Sequence, residues 1–197
     1  MLFTILPYKI GINIWAFEVA KAVASPFLNT LMIYLAKSFL IVIPILVIYL
    51  LLKKDMNVYS LVVAGILLYV VSDAIKLITK EPRPCNIQEL VNGSYPLIIN
   101  HVGCEASYSF PSNHASVLTG LVIFLKNYKY VRVLYVVWLV LILFGRIYLG
   151  LHYFTDVIAG AALSLVIAYI IYRYRDYINN ALNRLAKRIF PILAVKK

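Results

Sequence analysis

The sequence predicts an all-α integral membrane protein: a helical bundle of five to six transmembrane helices, with a short N-terminal interfacial helix and a basic C-terminal amphipathic helix. Three observations carry that prediction. Hydrophobic residues make up 63% of the 197-residue chain, charged residues only 14%, and mean hydropathy is +0.87; a soluble domain carries roughly 25% charged residues. The apolar residues form successive runs, several near the lower limit of about 17 residues for a crossing. Lysines and arginines gather at the ends of those runs.

Residues 12–24 (INIWAFEVAKAVA) place Glu18 and Lys21 on one side of a short helix, a pattern suited to the membrane interface; a buried or spanning role stays open. The first crossing falls within Leu28 to Leu52. Because Lys37 lies inside it, either the crossing begins near Ser38 or the lysine snorkels to the headgroups. The second crossing covers Val58 to Leu77 and the third Phe110 to Leu125. The fourth covers Val131 to Leu149 and the fifth Tyr153 to Tyr172. Residues 175–197 read as a basic amphipathic helix on the membrane surface. The whole chain, 1–197, forms a single membrane-embedded domain, and its first dozen residues lack the features of a secretory leader.

Charge orients the bundle. Lys53 and Lys54, then Lys126, Lys129 and Arg132, then Arg173 and Arg175 all fall on one side when five runs cross, and that side is expected to be cytoplasmic. The loop 80–109 and the turn around Gly150 are then extracytoplasmic, in a protein of the plasma membrane. A sixth crossing from residues 12–36 would move only the N-terminus. The net charge of +11 is explained by these anchors and anionic headgroups, so nucleic acid is excluded as a partner. The loop holds Cys85, Cys104 and the glycosylation pattern Asn92-Gly93-Ser94. A bridge between the cysteines would close a loop of about twenty residues and contribute about 3 kcal/mol; two free thiols are the alternative. His101, in the same loop, reads as a solvated residue.

Three polar clusters reach that outer face. Lys76 and Arg83 lie seven apart at the end of the second run, followed by Pro84. Ser112, Asn113 and His114 open the third, where unpaired helix-start amides favour an anion. Arg146 ends the fourth run, and His152 and Asp156, four apart, share a face of the fifth. A carboxylate so placed fixes the tautomer of the imidazole and makes its other nitrogen more nucleophilic. Cations and amides suit a tetrahedral dianion, and two histidines suit a nucleophile and a general acid. No metal is expected, because the cations would repel one from Asp156 and the histidines.

These motifs, Lys76-x6-Arg83-Pro84, Pro111-Ser112-x-His114 and Arg146-x5-His152-x3-Asp156, resemble the three signatures of the type 2 phosphatidic acid phosphatase superfamily. The resemblance implies a bundle of about six spans and a cofactor-free, metal-independent phosphatase working through a phosphohistidine. It implies His152 as nucleophile, Asp156 as its orienting partner and His114 as general acid. Lys76, Arg83, Ser112, Arg146 and the Asn113 backbone amide would bind phosphate. Two positions depart from the pattern: Asn113 replaces the usual glycine, and Gly145 replaces a serine. Losing that hydroxyl removes a donor worth about 1.5–3 kcal/mol if it bonded a charged phosphate.

The N-terminal segment and small size are similar to undecaprenyl- or dolichyl-diphosphate phosphatases. The expected partners are therefore membrane lipids and a phosphorylated lipid substrate, with a polyprenyl diphosphate favoured. A broader phosphatidic acid or phosphatidylglycerol phosphate phosphatase, a lipid phosphotransferase and a non-catalytic lipid-binding protein are the alternatives. Lipid chain length and oligomeric state are not encoded legibly.

Overall fold

The computed structural model describes residues 10–87 and 103–189. Among them are eight α-helices: α1 (Gly11–Ala22), α2 (Pro26–Lys37), α3 (Phe39–Leu52), α4 (Asn57–Thr79), α5 (Asn113–Leu121), α6 (Lys129–Tyr148), α7 (Phe154–Arg173) and α8 (Arg175–Ile189). Asn92, His101 and residues 190–197 lie outside the described residues.

Local chemistry sets the helix boundaries. Ser25 caps α2, its Oγ accepting from the Leu28 amide at 3.2 Å, with Pro26 opening the helix. α2 and α3 form a pair bent by 44°. At the break, Ser38 Oγ–H bonds the Leu35 carbonyl at 2.7 Å and receives the Trp138 indole N–H at 2.9 Å. The chain therefore breaks directly after Lys37, rather than running through it as one straight crossing.

Among the described residues, α4, α6 and α7 are long and apolar enough to cross a membrane, and the bent α2–α3 pair adds a fourth if its two helices form one span. Exposed Leu40, Ile66, Val140 and Leu165 on these helices are lipid-facing in such a setting. The third predicted run is shorter than expected. Pro111 and Ser112 precede the helix, and α5 with the 3₁₀ turn Val122–Leu125 forms one apolar segment, Asn113–Leu125, below spanning length.

α5 instead packs between α4 and α7 as the central strut. Two glycines permit the close approach of α5 and α7. A Cβ on Gly120 would meet Ala168 Cβ and Ser164 Oγ at 2.7 Å each, and one on Gly160 would meet Ser112 O at 2.8 Å. Small residues at such an interface let backbones touch where lipid supplies no hydrophobic drive. The apolar core, built on Leu61, Leu68, Leu121, Phe124 and Ile142, lies on the Lys53 side of this contact.

Polar ties fix both ends. At one end, α8 docks its polar side on the start of α4: Asn179 Oδ1 accepts from Ser60 N at 3.0 Å and Ser60 Oγ at 2.6 Å, and Tyr59 donates to Asn183 at 2.9 Å. Tyr177, Leu185 and Ile189 remain exposed on α8. At the other end, Asn13 of α1 exchanges two hydrogen bonds with Thr155, at 3.0 and 3.1 Å. There Cys85 and Cys104 are joined as a disulfide, and the Cys85 amide bonds the Gly150 carbonyl at 3.1 Å.

Candidate active site

The three clusters that are far apart in sequence converge at the disulfide end. The turn from α6 to α7 closes with Gly150 at φ +65°, a left-handed conformation that glycine adopts without strain. The amides of Leu151 and His152 both bond back to the Arg146 carbonyl. That wrapping sets His152 beside Arg146 and one turn before Asp156.

Asp156 serves two purposes. Its Oδ2 accepts the Tyr153 amide at 2.9 Å, capping α7, and faces His152 Nδ1 at 3.3 Å. Ser109 Oγ–H donates to the same oxygen. Burial first, and then the neighbouring Asp156, push the Glu81 carboxyl up to about 8. On the other side of the imidazole, Arg83 Nη1 lies 3.0 Å from Nε2. A guanidinium nitrogen has only hydrogens to offer, so Nε2 must accept and the ring proton must sit on Nδ1, toward Asp156. Burial first, and then the Arg146 and Arg83 charges, hold the His152 pKa well below its ordinary value. The imidazole is thus neutral, with its Nε2 lone pair on the side away from Asp156.

Arg83 is held by carbonyls of Ser107 and Leu151, both at 2.8 Å, and by Ser107 Oγ at 2.7 Å. Its Nη2 and the Nη2 of Arg146 grip the two oxygens of one carboxylate, Glu105. Burial raises the Glu105 pKa, but Arg146 and Arg83 outweigh it and leave the group below the ordinary carboxylate range.

These groups line a cavity of about 700 Å³. Its polar lining includes Lys37, Arg83, Glu105, Asn113, His114, Arg146 and His152, and its apolar lining includes Ile33, Phe39, Leu40, Ile43 and Val117. His114 bonds the Ala36 backbone and packs edge-on against Phe39, ring centroids 4.7 Å apart. Its Nε2 has no hydrogen-bond partner, nor do the buried Ser112 Oγ and Arg146 Nε. Buried polar atoms normally find partners, and the orphans of His114 and Arg146 belong to residues lining this cavity, which marks a place for a polar ligand.

Not every expected residue faces it. Lys76 donates to the carbonyls of Tyr108 at 2.8 Å and Ser109 at 3.1 Å, and so secures the segment that carries Ser109 rather than lining the cavity. The Asn113 side chain is committed to α4, accepting from Ser72 at 2.7 Å and donating to Asp73 at 3.3 Å. Gly145 points its missing Cβ at Met32 Sδ, 3.4 Å away on α2.

Residues 57–180 match the PAP2 superfamily. The chain belongs to that superfamily. PAP2 membership makes it an enzyme, a hydrolase of phosphate bonds in membrane lipids. It is 30% identical over 167 residues to an undecaprenyl-diphosphatase of Sulfolobus acidocaldarius, covering 82% of this chain and 78% of that protein. It is 33% identical over 129 residues to mouse sphingosine-1-phosphate phosphatase 1, covering 61% of this chain but 28% of that one. Two solved structures share the fold. Aquifex aeolicus LpxE superposes with a TM-score of 0.71 at 23% identity, covering 84% of this chain and 98% of that one. The first transmembrane PAP2 type phosphatidylglycerolphosphate phosphatase from Bacillus subtilis gives 0.63 at 22%, covering 84% and 85%.

Within this PAP2 site, sequence reasoning missed Glu105, Glu81 and Ser109. Glu105 follows Cys104 and Glu81 precedes Arg83 by two residues, but no spacing rule flags a loop carboxylate whose partners lie 22 and 41 residues away.

Proposed function

We propose that this PAP2 enzyme removes the terminal phosphate of a polyprenyl diphosphate at the extracytoplasmic face, through a phosphohistidine on His152. The observation that carries the reading is the convergence of the partnerless His114 Nε2 and Arg146 Nε with His152 on one cavity that also has apolar lining, beside the helix start where Ser112 Oγ is likewise without a partner. Anion donors, a nucleophile and an acid meet where a lipid tail can also lie.

In the first step His152 Nε2 attacks phosphorus, forming a P–N bond as the P–O bond to the lipid phosphate breaks. His114 gives its proton to the departing oxygen. Asp156 stabilises the positive charge that grows on the His152 ring. In the second step His114 takes a proton from water, the water oxygen bonds phosphorus, and the P–N electron pair returns to Nε2. Arg83, Arg146, Ser112 and the first amides of α5 hold the equatorial oxygens. Lys76 supports this clamp through the Tyr108–Ser109 backbone.

Lys37 favours a diphosphate. It lines the cavity between Ala36 and Phe39, the two residues that hold His114. A cation in the cavity lining favours a departing phosphate, whereas the alcohol leaving a monophosphate ester has no such charge. The undecaprenyl-diphosphatase likeness supports the same substrate class. The positive-inside pattern supports an outward site, a cytoplasmic C-terminus and five crossings, with α5 as a short one enclosed by its neighbours. The test is phosphate release by purified full-length protein, without added metal, from polyprenyl diphosphates, phosphatidic acid, phosphatidylglycerol phosphate and sphingosine 1-phosphate. Preference for the diphosphates supports the reading. Preference for a monophosphate ester, or strict need for a divalent ion, overturns it.

A further inference from the structure

We infer that Glu105 is a built-in counter-anion of the phosphate subsite, a carboxylate that the substrate displaces, and that it thereby sets how much negative charge a lipid headgroup needs to bind. The inference rests on the cavity being the phosphate site.

The geometry is that of a placeholder. One Glu105 oxygen meets Arg83 Nη2 at 2.6 Å, and the other meets Arg146 Nη2. The two arginines are 2% and 4% exposed, whereas the Glu105 side chain is 44% exposed. The cations are fixed in the wall, and the carboxylate has an open side toward which it can swing. Two planar guanidinium groups gripping one carboxylate present the same donor pattern that two phosphate oxygens would meet. The adjoining Cys104, tied to Cys85 beside Arg83, keeps the carboxylate within reach of the pair.

A purely structural role would make Glu105 the support of its arginines. Arg83 does not need that support: its Nε, Nη1 and Nη2 keep Ser107 O, Leu151 O and Ser107 Oγ when Glu105 leaves. Arg146 gives up its Glu105 bond, which an incoming anion would replace beside an Nε that has no partner. Because the Glu105 pKa lies below the ordinary carboxylate range, the group is charged at neutral pH and competes with every substrate there. A diphosphate brings more charge to that competition than a monophosphate ester, so the carboxylate discriminates between them.

The experiment uses full-length protein in detergent: wild type, Glu105→Gln, Glu105→Asp and Arg146→Ala. Inorganic phosphate binding is measured by titration calorimetry, and KM for a polyprenyl diphosphate and for phosphatidic acid by phosphate release. Glu105→Gln is expected to bind phosphate about tenfold tighter or more, the scale of one charge-assisted hydrogen bond. Its KM should fall further for phosphatidic acid than for the diphosphate, with Glu105→Asp lying between it and wild type. Phosphate binding by Glu105→Gln that is equal to or weaker than wild type overturns the proposal. Should Glu105→Gln fail to fold, Glu105→Asp decides in the same way. Phosphate binding unchanged in Arg146→Ala instead overturns the assignment of the cavity as the phosphate site, and the inference with it.

Discussion

The two ends of α4 carry buried polar clusters of opposite character. At its start, Ser60, Asn179, Tyr59 and Asn183 bond one another, Asn179 accepting both a backbone amide and a hydroxyl. Beyond its other end, Ser112, His114 and Arg146 each leave a buried polar atom without a partner. An unsatisfied buried donor or acceptor forfeits roughly 1–3 kcal/mol. The first cluster is complete in itself and holds α8 to the bundle. The second lacks its last member, which is what a binding site looks like before its ligand arrives.

The contrast can be broken or sharpened by substitution. The largest effect is expected at the open cluster: His114→Asn should slow phosphate release by about 10²–10⁴-fold, the usual range for a general acid–base, with little change in melting temperature. Gly160→Val comes next, because it pushes α7 off Ser112 O and Ser116 Oγ. Overpacking of this kind costs about 1–3 kcal/mol, so both thermal stability and activity should fall. A paired comparison then separates the clusters. Asn179→Ala should lower stability by about 1–3 kcal/mol while leaving kcat and KM unchanged below the melting temperature. Ser112→Ala should leave melting unchanged and raise KM. Equal melting losses in both would contradict the contrast. The smallest effect belongs to Gly145→Ser, whose Cβ would sit 3.4 Å from Met32 Sδ in ordinary contact. Its activity should match wild type, because the position faces α2 and does not line the cavity.

Much of this was legible because the needed signals are local. Apolar runs located α4, α6 and α7 to within two residues at each end, and spacing placed His152 and Asp156 on one turn. What was illegible depends on contacts between distant segments. The sequence offers a crossing that begins near Ser38 as one of two readings; the Trp138 bond to Ser38 that accompanies the break comes from a hundred residues away. The shortness of α5 reflects Ser112 in extended backbone before it, held by the Ser112 amide on the Asp156 carbonyl. Lys76 reads as a clamp residue from its motif, yet its ammonium is engaged by two carbonyls 32 and 33 residues on. Asn113 departs from the glycine of the resembled motif, yet Ser72 and Asp73 draw its amide away toward α4.

The central claim is that His152 Nε2, held neutral between Asp156 and Arg83, is the atom that attacks phosphorus. The direct measurement is rapid quench of the full-length enzyme turning over a polyprenyl diphosphate labelled in its terminal phosphate, followed by mapping of the labelled residue. The account predicts an acid-labile, base-stable phosphoryl group on His152, absent from His152→Ala, which should also lose activity by about 10³-fold or more. Turnover in His152→Ala at the wild-type rate, or label trapped on another residue, would contradict it.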